Sequence, residues 1–279
     1  MTLKRVVIVG GGVGGLATAL ALKESEYELF IVERDPPPPD IAPEQAFEQW
    51  PREGVPQFRH AHILLSRIQT NLRDHHPELL QQLMAAGLYL STVEEILPAS
   101  HYHGIVPEPG DDDLLHLWGR RATFEYVVRR YVERMPNVHF VHDTRVVGIV
   151  AEPLGRALML RGVELQARDD SRSQLLADIV VDASGVRSKF PEWLEARGVQ
   201  CEDESHASGF VYACRHYHLN DPADAPAREH GGGNYDYLGY ATFYAEHGHY
   251  ALTLACPEDE AELCDLIRRP EGFEALCDQ

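Results

Sequence analysis

Gly10-Gly11-Gly12-Val13-Gly14-Gly15 stands directly behind the apolar run Val6 to Val9 and ahead of a second strand-like run, Glu28-Leu29-Phe30-Ile31-Val32, that ends in Glu33. A glycine-rich turn between strand and helix, with an acid closing the next strand, is the pattern of a dinucleotide-binding βαβ unit. Gly10 suits the tight turn, Gly12 lets the backbone approach a pyrophosphate, and Gly15 lets the helix pack close to the sheet. Val13 and Gly14 open the helix, whose free N–H groups and partial positive charge make an anion site. Glu33 falls eighteen residues after Gly15, where a carboxylate is expected to accept both hydroxyl hydrogens of an adenosine ribose. That favours FAD or NAD over NADP, since a 2′-phosphate about 4 Å away would be repelled by roughly 1 to 4 kcal/mol. Arg34 would soften that repulsion. The competing reading, a glycine turn that binds nothing, does not account for the strand, the small-residue helix and the acid together.

Composition narrows the partners. The chain has 279 residues, 44% of them hydrophobic, enough for a sizeable core in one large or two modest domains. Its 25 basic and 44 acidic residues give a formal charge of -19, which opposes contact with nucleic acid or an anionic membrane. Lys4-Arg5 and the apolar residues after them imitate a signal peptide, but the glycines break the run, so it reads as strand one. No run is long enough for a membrane span, and membrane insertion is not expected. Five cysteines without a CxxC pair suggest free thiols and a cytoplasmic protein.

Along the chain, Asp35-Pro36-Pro37-Pro38-Pro39-Asp40 reads as an exposed polyproline loop. Helical spacing recurs from about Ser66 to Asp74 and from Glu78 to Ala86, with Pro77 at a helix start and Gly87 just past an end. From Thr92 to Trp118 the chain reads as short and strand-like, with a solvated Asp111-Asp112-Asp113 turn rather than a metal site. A charged helix is expected over Thr123 to Met135. Strands are expected at Val138 to Val141, Thr144 to Val150 and Ala157 to Ala167. A single apolar run from Leu175 to Val181 leads into Asp182-Ala183-Ser184-Gly185, a second strand-to-turn site. From Gly209 onward the tyrosine-rich runs read as an antiparallel sheet followed by a helix at about Glu258 to Arg268.

Four segments together resemble the flavoprotein monooxygenases of the para-hydroxybenzoate hydroxylase type, in the branch of bacterial FAD-dependent oxidoreductases, epoxidases and halogenases. They are Gly10 to Gly15 with Glu33-Arg34; Arg52-Glu53-Gly54-Val55-Pro56-Gln57 with His60-Ala61-His62; Arg121-Ala122-Thr123-Phe124-Glu125; and Asp182 to Ser188. They cover about residues 5 to 195. The resemblance implies an α/β fold with a Rossmann-like FAD-binding domain in residues 1–95 and 116–198. An antiparallel-sheet substrate domain, expected to be incomplete, takes 96–115 and 199–279. It further implies that Arg52 and Arg121 contact the FAD phosphate and ribityl region. Val146 would lie by the adenine, and Asp182 with Gly185 near the pyrophosphate and the approach of the nicotinamide donor. His60 and His62 would line the flavin or substrate cavity. Against these stand surface salt bridging for the two arginines and a turn or helix cap for Asp182. The family's third motif, a C-terminal Gly-Asp, has no counterpart after Gly209. Either the sequence is part of a longer chain or its flavin site is incomplete.

Four His-x-His pairs, at 60/62, 101/103, 216/218 and 247/249, each lack further ligands at usable spacing, so no metal is expected. The tyrosine strands read as core and sheet surface before pocket wall. Trp50, Trp118 and Trp193 are isolated, which disfavours the Trp-x-Trp-x-Ile-Pro signature of halogenases. The expected function is an FAD-dependent, NADH- or NADPH-driven monooxygenase that hydroxylates or epoxidises a small apolar or aromatic substrate with molecular oxygen. No catalytic acid or base is named, because the cofactor carries the chemistry. Two alternatives stay open, a flavin-dependent reductase of a prenyl-like substrate and a non-enzymatic nucleotide-binding fragment.

Overall fold

The computed structural model of the chain describes residues 4–96, 106, 108–155, 157–221 and 231–278; His101 and His103 lie outside them. The chain divides into two compact units. The first is Met1–Ile41, Glu48–Pro56 and Glu125–Glu204, and the second is Ala42–Phe47, Gln57–Phe124 and Ser205–Gln279.

The first unit is built on a parallel sheet whose strands lie in the order Ile179–Asp182, Lys4–Val9, Tyr27–Val32, Val138–Val141. Val6, Val7 and Ile8 are at most 1% exposed, the all-apolar interior that a parallel strand covered on both faces requires. The register sets Val9 beside both Val32 and Asp182. Gly10, Glu33 and Ala183 therefore emerge together at the carboxyl edge, where ligands of open α/β sheets bind. The helix Val13–Ala21 buries Gly15, Leu16, Ala19 and Leu20. An antiparallel sheet of Thr144–Leu154, Ala157–Ala167 and Arg172–Leu176 completes the unit. Its Ile149, Val163 and Leu165 share a core with Val7, Val9, Val32 and Phe190. Gly162 is required there: its φ is +149°, and a Cβ would sit 2.2 Å from the Leu175 carbonyl oxygen.

The apolar run expected from Leu175 to Val181 is two strands, one in each sheet. Asp178 makes the break. Its backbone N–H donates to Arg5 O at 2.9 Å, and its carboxylate accepts from Arg5 N at 2.8 Å, which anchors the chain at the start of the parallel strand. The polyproline segment is a loop, but Asp35 and Pro38 are buried within it. Asp35 is held inward by an ion pair to Arg52.

The second unit contains the helices Ser66–His75 and Pro77–Ala85, with Pro77 in the first turn and Gly87 at φ +97°. Its small sheet pairs His116–Trp118 with Ile63–Leu64 and Tyr89–Ser91. A larger antiparallel sheet runs in the order Phe210–His218, His249–Pro257, Gly239–Tyr244, Gly232–Asn234. Residues 57–95 and 116–124 thus pack with the tyrosine-rich sheet, although the expected boundaries placed them with the nucleotide fold. The reason is contact: Tyr89 donates its hydroxyl to Tyr244 O at 3.2 Å, and the Trp118 ring lies 6.0 Å from Phe243. The expected C-terminal helix is Ala261–Arg268, and a second one not expected, Pro270–Cys277, follows directly, because Pro270 ends one helix and starts the next. Leu238, Leu254, Cys256, Cys264, Ile267 and Phe273 form the core beneath them. Tyr212, Tyr235 and Tyr237 lie exposed.

Glu246, 3% exposed, ties the two sheets of this unit together. It accepts from Arg120 N at 2.9 Å, from Arg120 Nε at 2.8 Å and from the Thr123 hydroxyl. Burial pushes its carboxyl up, but the Arg120 charge and these hydrogen bonds outweigh that and hold it below its ordinary 4.5. A folded-state value below the unfolded one means the native state binds fewer protons in that range, so stability rises with pH through it. The contribution is complete above about 4.5 and is lost as the pH falls through the lower folded value. Glu246→Gln should flatten that acid limb in urea titrations read between pH 3 and 7. Removing the charge leaves Arg120 uncompensated, so a cost of about 3 kcal/mol at neutral pH is expected. An unchanged acid limb in the variant would refute the role.

Candidate functional site

The glycine turn has the geometry of a phosphate cradle. Gly10 has φ +105°, and a Cβ on it would sit 2.6 Å from the Ala183 carbonyl oxygen. A Cβ on Gly15 would lie 1.9 Å from the Gly10 carbonyl oxygen, so helix and strand approach as closely as backbone permits. Gly12 is different: it is extended, and a Cβ there would meet only Val55 Cγ2 at 3.8 Å. Space opens beside the backbone here, as it does at Gly14, where a Cβ would meet only Ala183 Cβ at 4.0 Å. The helix that starts at Val13 has no side-chain cap and no acidic residue in its first turn. Its first-turn N–H groups have no intrahelical carbonyls to bond, which fits a diphosphate at Gly12, Val13 and Gly14.

Beneath this turn lies a buried charge network. Glu33 is 4% exposed and accepts from Gly11 N at 3.1 Å, Asp35 N at 3.0 Å and Arg52 Nη1 at 2.9 Å. Arg52 also reaches Asp35 Oδ2 at 2.8 Å, Glu125 Oε1 at 3.1 Å and the Gly11 carbonyl oxygen at 3.1 Å. Burial raises the Glu33 carboxyl, but the Arg52 charge, the hydrogen bonds from Asp35 N and Arg52 and the Arg129 charge together outweigh it and hold the group below its ordinary value. Burial and then the neighbouring Glu33 charge push Asp35 the other way, upward.

This arrangement bears on two of the expected contacts. A carboxylate has about four lone-pair positions, and donors within the protein take three of those on Glu33, which leaves one position open. Arg52, with its side chain 1% exposed, neither bridges ions at the surface nor presents a donor outward to a phosphate. Arg34 is at the surface, with Nη2 on Glu53 O at 3.0 Å.

Asp182 ends its strand as a turn former. Its carboxylate accepts from Ser184 N at 3.0 Å and from the Ser188 hydroxyl, and Gly185 follows at φ +83°. Val146 lies in the strand Thr144–Leu154 and packs on the core of the parallel sheet.

His60 and Arg121 belong to the second unit. Arg121 is the first residue of the helix Arg121–Val132, which starts two residues earlier than expected. Its Nη1 lies 3.0 Å from His62 Nε2, while His62 Nδ1 lies 2.9 Å from the His60 carbonyl oxygen. The ring therefore donates at Nδ1 and accepts at Nε2, a neutral tautomer. Burial first, then the charge of Arg121, keep His62 below its ordinary value, and burial does the same to His216. With His60, Arg120, Phe243 and Tyr244 these imidazoles line a small, shallow cleft. Among the described residues no group of three or more histidines, cysteines or acids is arranged to hold a metal.

The sequence reading missed Asp35, Glu125 and Arg129 as parts of the site. Arg129, 1% exposed, lies 3.4 Å by Nη1 from Gly11 O and 3.2 Å by Nη2 from His142 Nδ1. Its one available signal is spacing: Glu125 and Arg129 are four residues apart on one helix and so share a face.

Comparison with known proteins bears on the family and the fold. The chain is 26% identical over 276 residues to Protein Rv3254 of Mycobacterium tuberculosis, covering 88% of this chain and 52% of the relative. It thus spans about half the length of the curated relative it matches. Among solved structures it resembles PqsL, a probable FAD-dependent monooxygenase from Pseudomonas aeruginosa. The TM-score is 0.66 and the identity 16%, over 98% of this chain and 65% of the other. It also resembles the myxobacterial chondrochloren halogenase CndH, with a TM-score of 0.63 and 16% identity, over 100% of this chain and 57% of the other. At such identities these two likenesses show the fold: a parallel Rossmann-like sheet with antiparallel sheets. A family model described as an FAD binding domain matches residues 5–209. Among the described residues no helix is long and apolar enough to cross a membrane. The chain belongs to the FAD-binding domain family.

Proposed function

We propose that this chain works as an FAD-dependent monooxygenase, driven by NADH or NADPH and acting on a small, largely apolar or aromatic substrate. The observation that carries it is the open approach at Gly12 onto an uncapped helix N-terminus, at the carboxyl edge of a parallel sheet. The residues present fit FAD. First-turn N–H groups at Val13 and Gly14 hold the diphosphate, and Glu33 takes one ribose hydroxyl. The Asp182 turn shapes the loop beside Gly10. Arg121 and His60 are assigned to the same cofactor on the resemblance of their motifs alone. When bound, the flavin supplies two-electron redox chemistry and reaction with oxygen. The protein's part is to bind, orient and exclude water, and no side chain is assigned a proton transfer. Among the structural neighbours PqsL is described as a probable monooxygenase, which supports oxygen chemistry. The isolated Trp50, Trp118 and Trp193 speak against halogenation.

Reconstitution with excess FAD, followed by gel filtration and a visible spectrum, tests the first half. Bound flavin near stoichiometry is expected, and folded protein that retains none would overturn the reading. Oxygen uptake that tracks NADH or NADPH oxidation, with oxygen incorporated into an added aromatic, tests the second. Oxidation of the nicotinamide without oxygen uptake would move the assignment to a reductase.

A further inference from the structure

We infer that Arg52 and Glu125 form a positioning clamp for the adenosine end of the dinucleotide site, fixing Glu33 and Gly11 for the ribose without touching a phosphate. The inference rests on the reading that the glycine turn takes FAD. Arginine has five N–H donors, and four of those of Arg52 are hydrogen-bonded inside the network. Nε donates to Glu125, the two hydrogens of Nη1 go to Glu33 and Asp35, and Nη2 donates to Gly11 O while lying 3.1 Å from Glu125 Oε1. Glu125 is fully buried at 0% exposure, and Trp50 covers the guanidinium with its ring centroid 5.0 Å from Cζ. With its side chain 1% exposed, Arg52 faces into this network and away from solvent.

The clamp acts on both partners of the ligand. On Glu33 it keeps a buried carboxylate ionised and turned so that a single acceptor position remains. On Gly11 it holds the carbonyl down, and a Cβ there would lie 2.6 Å from Arg129 Nη1 and 2.7 Å from Glu33 Oε2. The glycine turn is thus seated on the charge network. Glu125, within the motif that begins at Arg121, thereby acquires a role: it balances Arg52 from the helix side.

Affinities for ADP and for adenosine, measured by competition against FAD fluorescence, test this. The wild type comes first, because failure to bind FAD or ADP at all would refute the cradle itself rather than the clamp. In Arg52→Lys a loss of at least tenfold is expected, equal for adenosine and ADP. A loss confined to ADP would mean that Arg52 meets the diphosphate, and no loss for either ligand would mean that it positions nothing; both overturn the inference. Glu125→Gln keeps the volume and should weaken both ligands equally, deciding the matter if Arg52→Lys does not fold. The wild type gives a third readout: of 2′-deoxy-ADP and 3′-deoxy-ADP, one should bind as ADP does and the other more weakly. An equal loss for both would show Glu33 accepting two hydroxyls and overturn the geometry of the clamp.

Discussion

Gly12→Val is expected to abolish flavin retention while leaving the fold intact. A Cβ at Gly12 meets only Val55 Cγ2 at 3.8 Å, so the protein itself has little objection to a side chain. The expected stability cost is about 1 kcal/mol, the difference between glycine and a β-branched residue at a helix N-cap. The ligand does have an objection. An isopropyl group fills the space through which a diphosphate reaches the first-turn N–H groups. Losing two charge-assisted hydrogen bonds at about 1.5–3 kcal/mol each weakens FAD by about 10²- to 10⁴-fold. Gel filtration after reconstitution should show folded, colourless protein; retained flavin at wild-type stoichiometry would move the phosphates elsewhere.

Gly15→Ala should fail in the opposite way, by loss of the fold. Here the added Cβ falls 1.9 Å from the Gly10 carbonyl oxygen, a backbone atom that no rotamer change can move. Helix and strand must separate by more than an ångström, which opens the contacts of Leu16, Ala19 and Leu20 with the sheet. Overpacking of cores costs about 1–3 kcal/mol and occasionally more, and the backbone collision places this site above that range, at about 4 kcal/mol. For a chain of this size the melting temperature should fall by roughly 8–16 °C, or the variant should not accumulate in soluble form. A melting temperature within about 3 °C of wild type would show that the helix can shift freely. Paired with Gly12→Val, it separates two glycines that look alike in the sequence.

Local features were the legible ones. Gly10 to Gly15 and Glu33 lie within one βαβ unit, so spacing alone exposes their geometry, and the helices at Ser66 and Pro77 carry their own start and stop residues. What escaped was set by distance. Arg52 meets Glu33 nineteen residues away and Glu125 seventy-three away, and no periodicity links them. Apolar continuity from Leu175 to Val181 hid the passage from one sheet to another, because the only mark of it is Asp178 answering Arg5. Membership of residues 57–95 in the second unit depends on strands of two and three residues, too short to announce their partners. Pro270 was visible, but it marks a restart of the helix as readily as an end.

The parallel sheet imposes a timetable on synthesis. Lys4–Val9 has one neighbour close behind it in Tyr27–Val32, yet its other side waits for Ile179–Asp182, and the bond from Arg5 N to Asp178 spans 173 residues. At about 5–20 residues per second a ribosome needs roughly 10–35 s to make the intervening chain. Throughout that interval a strand whose Val6, Val7 and Ile8 end up buried has an open edge, the condition under which nascent chains pair wrongly or are held by chaperones. The cradle cannot be complete earlier, because Gly10 is braced by Ala183, the residue that follows the late strand. Flavin capture is therefore expected only after Ala183 has been made and the late strand has paired.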